Sequence, residues 1–167
     1  MAGVCISVSN IVTQGVLLLT SAAWHIPPSW TQGSGATIEN IVDAASLALN
    51  ASRLLPERQI PQSVIPLIVH QTWKDTYHDR WPDSFRRSTE TWLSGVESGN
   101  MAYFLWDDNG IAQFIRHFEP EMENQFYALP NNVERSDVFR ILVSKWIGGI
   151  VSSSVPLLEL DSIPFAS

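Results

Sequence analysis

Cysteine is nearly absent from this chain. Cys5 stands alone among 167 residues, which excludes a disulfide framework and a cysteine-built metal site. Basic charge is scarce too: 10 Lys and Arg face 17 Asp and Glu, for a net charge of -7. A phosphate backbone would be repelled on average and no basic block offsets this, so no nucleic-acid partner is expected. No Lys or Arg precedes Arg53. The apolar run Gly15 to Trp24 (GVLLLTSAAW) therefore lacks the basic flank of a signal peptide or anchor, and it is short for a membrane span. It reads as a weak signal-anchor-like segment or as an early helix. The last scarcity is local: Val151 to Val155 (VSSSV) holds no charged residue.

What is present describes a globular chain. Hydrophobic residues make up 45% and charged residues 16%, enough for one domain with a real core. Residues 1–60 read as an N-terminal extension, in which His25 to Gly35 (HIPPSWTQGSG) is a linker. Thr37 then caps a helix with Ile38, Ile41, Val42, Ala45 and Leu49 on one side. Asn50-Ala51-Ser52 is a glycosylation sequon, with meaning only on the secretory route.

The folded domain is expected over residues 61–167. Leu67 to Gln71 is a strand buried on both faces, followed by a Trp73-Lys74-Asp75 loop. From Pro82, the spacing of Phe85, Thr89, Trp92 and Val96 predicts an amphipathic helix. Met101 to Trp106 (MAYFLW) is a second strand, ending in Asp107-Asp108-Asn109, and a helix runs from Ile111 to Phe118. An acidic amphipathic segment leads to the break Leu129 to Asn132 and a further helix. On that helix Val138, Ile141, Leu142 and Lys145 share one face, and Asp137, Arg140 and Ser144 another. Gly148-Gly149 ends it, because glycine takes the left-handed conformation without steric cost, and a short strand starts at Ile150.

Alternating strands and helices predict an α/β fold, an open, mostly parallel sheet with flanking helices. In such sheets ligands sit beyond the carboxyl ends of the strands, which puts His70 to Trp73, Trp106 to Asn109 and the residues after Ile150 on one rim. From the residues alone, Asp137 and Arg140 are an i,i+3 ion pair first and a ligand site second. Asp107 and Asp108 are turn-forming acids on the rim, and His78 and His117 are surface residues.

Three ordered segments also carry a resemblance. IPLIVHQTWK (Ile65 to Lys74), YFLWDDN (Tyr103 to Asn109) and ERSDVFRILVSKWIGGI (Glu134 to Ile150) resemble the sugar-transferase block of glycosyltransferase family 32. That family includes fungal initiation-specific alpha-1,6-mannosyltransferases and inositol phosphoceramide mannosyltransferases. The resemblance implies a GT-A-like domain that transfers a hexose, mannose from GDP-mannose first, to a glycan or glycolipid acceptor such as a sphingolipid headgroup. It implies a Golgi or endoplasmic reticulum membrane setting with membrane attachment. It places Val69, His70, Gln71 and Trp73 beside the nucleotide, Asp137 on the donor sugar and Arg140 on the diphosphate.

The resemblance also implies Mn(II), held by an Asp-x-Asp motif shortly after the paired glycines, to neutralise the departing nucleoside diphosphate. Read forward from Gly148-Gly149, the two acid positions fall at Ser153 and Val155, and neither is a carboxylate; read backward from Val155-Pro156-Leu157, two residues are missing and the motif is excised. Glu159 and Asp161 repeat the spacing further on, although Asp161 corresponds to a later acid of the family pattern. The family's domain continues beyond the point matching Ser167, so the chain reads as a truncated, nucleotide-sugar-binding part. Two expectations follow: a glycosyltransferase, or an inactive relative or truncated product that keeps at most nucleotide-sugar binding.

Overall fold

The computed structural model describes residues 24–152. Cys5, most of the run from Gly15, and Ser153, Val155, Glu159 and Asp161 lie outside the described residues, as does the side chain of His78. In chain order the elements are β1 (Trp24–His25), α1 (Pro28–Thr31), α2 (Ile41–Leu54), β2 (Ile68–Thr72), α3 (Asp83–Glu97), β3 (Ala102–Trp106), α4 (Asp108–Phe118), α5 (Glu123–Ala128), α6 (Asn132–Trp146) and β4 (Ile150–Val151).

The strands form one sheet in the order β1-β3-β2-β4. At its centre β2 and β3 run parallel, with Ile68 opposite Ala102 and Thr72 opposite Trp106. On the far side of β2 lies β4, also parallel, while β1 pairs antiparallel with β3. Branched and aromatic side chains fill β2 and β3 (IVHQT, AYFLW), as suits strands covered on both faces. The pleat sends Ile68, Ala102, Phe104 and Trp106 into a core with α2, α4, α5 and α6. It sends Val69, Tyr103 and Leu105 into a second core with Trp81 and with Phe85 and Leu93 of α3. This is the expected α/β sheet, mostly parallel, with helices on both faces.

Four expectations change. First, His25 to Gly35 is not a linker: β1 adds an edge to β3, and Trp30 is buried and donates its indole N–H to the Gly99 carbonyl at 2.8 Å. Pro28 opens α1, where a missing N–H is no loss. Second, the cap of α2 is Asn40, whose side chain accepts from the Asp43 N–H at 2.9 Å, in place of Thr37. Ala44, Ala45 and Ala48 of α2 are fully buried, so residues 24–54 share the core of the later segment. Third, the sequon lies in α2, where Ser52 is buried and its hydroxyl donates to the Leu49 carbonyl at 2.8 Å. Fourth, α6 packs through Phe139, Leu142 and Val143, while Ile141 is 69% exposed and Lys145 pairs with Glu119 at 2.6 Å. Apolar residues surround this helix, so the sheet decides which of them is covered.

Among the described residues no helix is long and apolar enough to cross a membrane.

Candidate functional site

Beyond the carboxyl ends of β2 and β3 lies a cavity of about 340 Å³. Its floor is Thr72 and Trp106, the last residues of the two strands. Trp73 and Lys74 enter from the loop after β2, Asp108 and Ile111 from α4, and Asn132, Val133, Ser136 and Arg140 from α6. A smaller cavity of about 120 Å³ shares Asp108, Ile111, Asn132 and Ser136 and adds Phe126, Tyr127 and Arg135.

The rim forms for local reasons. Backbone pairing carries past the strands, as the Trp73 N–H bonds the Trp106 carbonyl at 3.1 Å. The Trp73 ring lies flat on Phe85, with centroids 4.3 Å apart, and Phe85 meets Trp81 edge-on at 4.9 Å. Asp107 caps α4 by accepting from the Gly110 N–H at 2.7 Å, and burial, with Asp108 adding, holds its carboxyl above the usual range. Asn131 caps α6 by accepting from the Glu134 N–H at 2.9 Å.

Of the residues expected to meet a donor, the structure brings Trp73 and Arg140 to the cavity. The Nη1 of Arg140 donates to Asp137 at 2.5 Å, and its Nε is buried without a partner. Asp137 is 60% exposed and stands beside Arg140 without lining the cavity.

Val69, His70 and Gln71, expected beside the nucleotide, are all buried in the sheet, and none lines the cavity. Val69 packs with Trp81 and Phe85. His70 accepts at Nδ1 from the Trp106 indole at 3.0 Å, which leaves Nε2–H to donate to the Gly148 carbonyl at 3.0 Å. Gln71 Oε1 accepts from the hydroxyls of Tyr103 at 2.8 Å and Thr89 at 3.2 Å. Its amide donates to Ser88 at 3.4 Å and Ser152 at 3.3 Å. These two polar residues connect the sheet, α3 and the start of the segment beyond β4. Burial raises the pKa of the Tyr103 hydroxyl, so it stays a donor.

Burial pushes the His70 pKa down to about 4, against a partial opposing effect of the Gly148 bond. An unfolded histidine protonates near 6.5, so below that pH the unfolded chain binds a proton that the folded chain refuses. The contribution is fully present above 6.5 and is lost as pH falls towards 4. Urea unfolding from pH 7 to 4 should show a loss of about 3 kcal/mol that is absent in His70→Gln. Equal pH slopes for the two proteins would disprove this.

Several lining residues were not singled out from the sequence. Asn132, Ser136 and Arg140 recur every four residues, one stripe of α6, and that stripe was readable once Arg140 was chosen. Lys74 was placed in the loop but given no role, and nothing local to Thr72 or Ile111 marks either.

The described residues do not fit a Mn(II) centre. Among the described residues no three His, Cys, Asp or Glu side chains gather as a metal site would need. Asp107 is committed to capping α4, Asp108 is the one carboxylate lining the larger cavity among the described residues, and the implied ligand positions are Ser153 and Val155.

Comparison with known proteins bears on the geometry. The chain is 35% identical over 109 residues to the initiation-specific alpha-1,6-mannosyltransferase of Saccharomyces cerevisiae, covering 62% of this chain and 22% of that protein. This chain is a relative of fungal mannosyltransferases. Inositol phosphoceramide mannosyltransferase 3 of Schizosaccharomyces pombe is 31% identical over 93 residues, 53% of this chain and 23% of its own length. Inositol phosphoceramide mannosyltransferase 2 of the same yeast is 34% identical over 88 residues, 53% and 24%. The resemblance to the mannosyltransferases of family 32 is thereby borne out. The chain spans under a quarter of the length of these relatives. No family model matches it, and no solved structure does.

Proposed function

We propose that this relative of fungal mannosyltransferases forms the donor-binding part of a GT-A-like hexosyltransferase and that its cavity takes a nucleotide sugar, GDP-mannose first. The observation that carries this is Arg140. Its buried, partnerless Nε belongs to a side chain lining a cavity at the strand ends, opposite no committed acceptor but Asp137. A guanidinium offers a planar fork of donors that matches phosphate oxygens, and Trp73 offers a flat apolar face to a base. Asp137, held beside Arg140, would accept from the sugar hydroxyls. The names of the relatives support transfer of mannose to a glycan or to inositol phosphoceramide as the reaction of the whole protein. A Golgi or endoplasmic reticulum membrane setting belongs to the same proposal.

Binding and turnover should separate in this chain. With Ser153 and Val155 where the acids would stand, the metal-assisted departure of the diphosphate lacks those two carboxylates. GDP should bind saturably to the purified chain, and Arg140→Ala should weaken it by about tenfold or more, as for loss of a charge-assisted hydrogen bond. GDP-mannose with Mn(II) should yield no mannose transfer. Failure of GDP to bind at all would end the proposal, and transfer under these conditions would show that metal ligands lie elsewhere.

A further inference from the structure

We infer that this chain holds the diphosphate of its nucleotide without a divalent cation, using Lys74 and Arg140 for the charge that Mn(II) would otherwise neutralise. The inference rests on the donor-site reading above and adds how that site works.

A divalent cation on a diphosphate needs several oxygen ligands, carboxylates above all. This site is poor in them. Ser153 and Val155 occupy the implied ligand positions, Asp107 is engaged with the Gly110 N–H, and among the described residues Asp108 remains as a single carboxylate at the cavity. Cations are better supplied. Lys74 lines the cavity, is exposed, and among the described residues pairs with no carboxylate. Arg140 reaches the same cavity from α6, with one nitrogen on Asp137 and a buried, partnerless Nε.

Arg135 stands behind them in the adjoining cavity. Its guanidinium is fixed by the carbonyls of Tyr127 at 3.1 Å and Leu129 at 3.0 Å and by the Asn132 side chain at 3.3 Å. Its Nε is buried without a partner, and no carboxylate neutralises it among the described residues. A fixed cation lacking a counter-charge favours an anion nearby, more strongly where water is partly excluded. Arg135 also sits near the start of a fifteen-residue helix whose amino end lines the cavity, so the helix dipole acts in the same direction.

Calorimetric titration of the 167-residue chain with GDP, once in EDTA and once in Mn(II), tests this. The same dissociation constant is expected in both media. Lys74→Ala should weaken GDP binding about tenfold in EDTA, with recovery in Lys74→Arg. Guanosine, which has no phosphate, should bind Lys74→Ala and the parent equally. Lys74 is exposed, so the substitution leaves packing intact, and circular dichroism checks that. GDP binding that requires Mn(II) would overturn cation independence and leave the donor site standing. Binding in EDTA that is unchanged in Lys74→Ala would overturn the role of Lys74. No GDP binding in either medium would remove the donor-site reading and this inference together.

Discussion

Trp106→Ala is expected to destabilise the chain by about 4 kcal/mol, against the 3–5 kcal/mol typical of emptying a large aromatic site. Trp106 is fully buried at the end of β3, and its ring meets Phe139 at 5.2 Å and Phe114 at 5.7 Å. No small shift fills the space, because Phe114 and Phe139 are themselves packed edge-on at 5.2 Å. The indole N–H also satisfies His70 Nδ1, and a buried acceptor left without a donor costs about 1–3 kcal/mol more. Part of that cost is offset because Trp106 borders the rim cavity, where water can enter. Trp106→Phe keeps most of the volume and loses the hydrogen bond, so a cost of about 1–2 kcal/mol is expected. Urea unfolding followed by circular dichroism measures both. Equal costs would mean that the hydrogen bond dominates and that the aromatic cluster does not depend on this ring.

The roles of Trp106 and His70 show where the sequence was readable. Two apolar, aromatic runs announced the central strands, and Leu67 to Gln71 and Met101 to Trp106 each lie within one residue of the observed β2 and β3. The helix opened by Pro82 was legible because Phe85 and Thr89 keep the helical period, and the observed α3 buries both. The cavity also lies beyond the strand ends, where the rule for such sheets expects ligands.

His70 and Gln71 were harder, because a polar residue in a buried strand can serve a ligand or the fold. The partners that decide for the fold are far away in sequence: Trp106 is 36 residues from His70, and Gly148 is 78. No local pattern reports such pairing. β1 escaped for a different reason, since a two-residue strand has no period to read and its edge position depends on β3 alone. On α6, Phe139 and Ile141 differ little in hydrophobicity, and only the sheet determines that Phe139 is covered.

The paired glycines support the other large prediction. After α6 the chain must reverse and enter β4 beside β2 within three residues, Ile147 to Gly149, and both glycines take positive φ, +77° at Gly148 and +95° at Gly149. The last turn widens as the Gly148 N–H bonds the Val143 carbonyl at 3.1 Å. A side chain is strained at either position, but the two surroundings differ. A Cβ on Gly148 would meet Pro66 Cδ at 3.3 Å, a contact that a small ring shift relieves. A Cβ on Gly149 would come to 2.4 Å from the carbonyl oxygen of Ile68, which is backbone at the start of β2. Relief there means moving β4 away from β2, with loss of the pairing of Val69 with Ile150 and of the Ser152 N–H bond to the His70 carbonyl. Gly148→Ala should therefore cost about 1–2 kcal/mol, the usual charge for a left-handed non-glycine residue. Gly149→Ala should cost about 3–4 kcal/mol, the same strain plus overpacking against a fixed main chain. The ordering is the sharper test, because the two changes have nearly equal effects on the unfolded chain. If Gly149→Ala proved no worse than Gly148→Ala, the approach of β4 to β2 could not be as close as the structure has it.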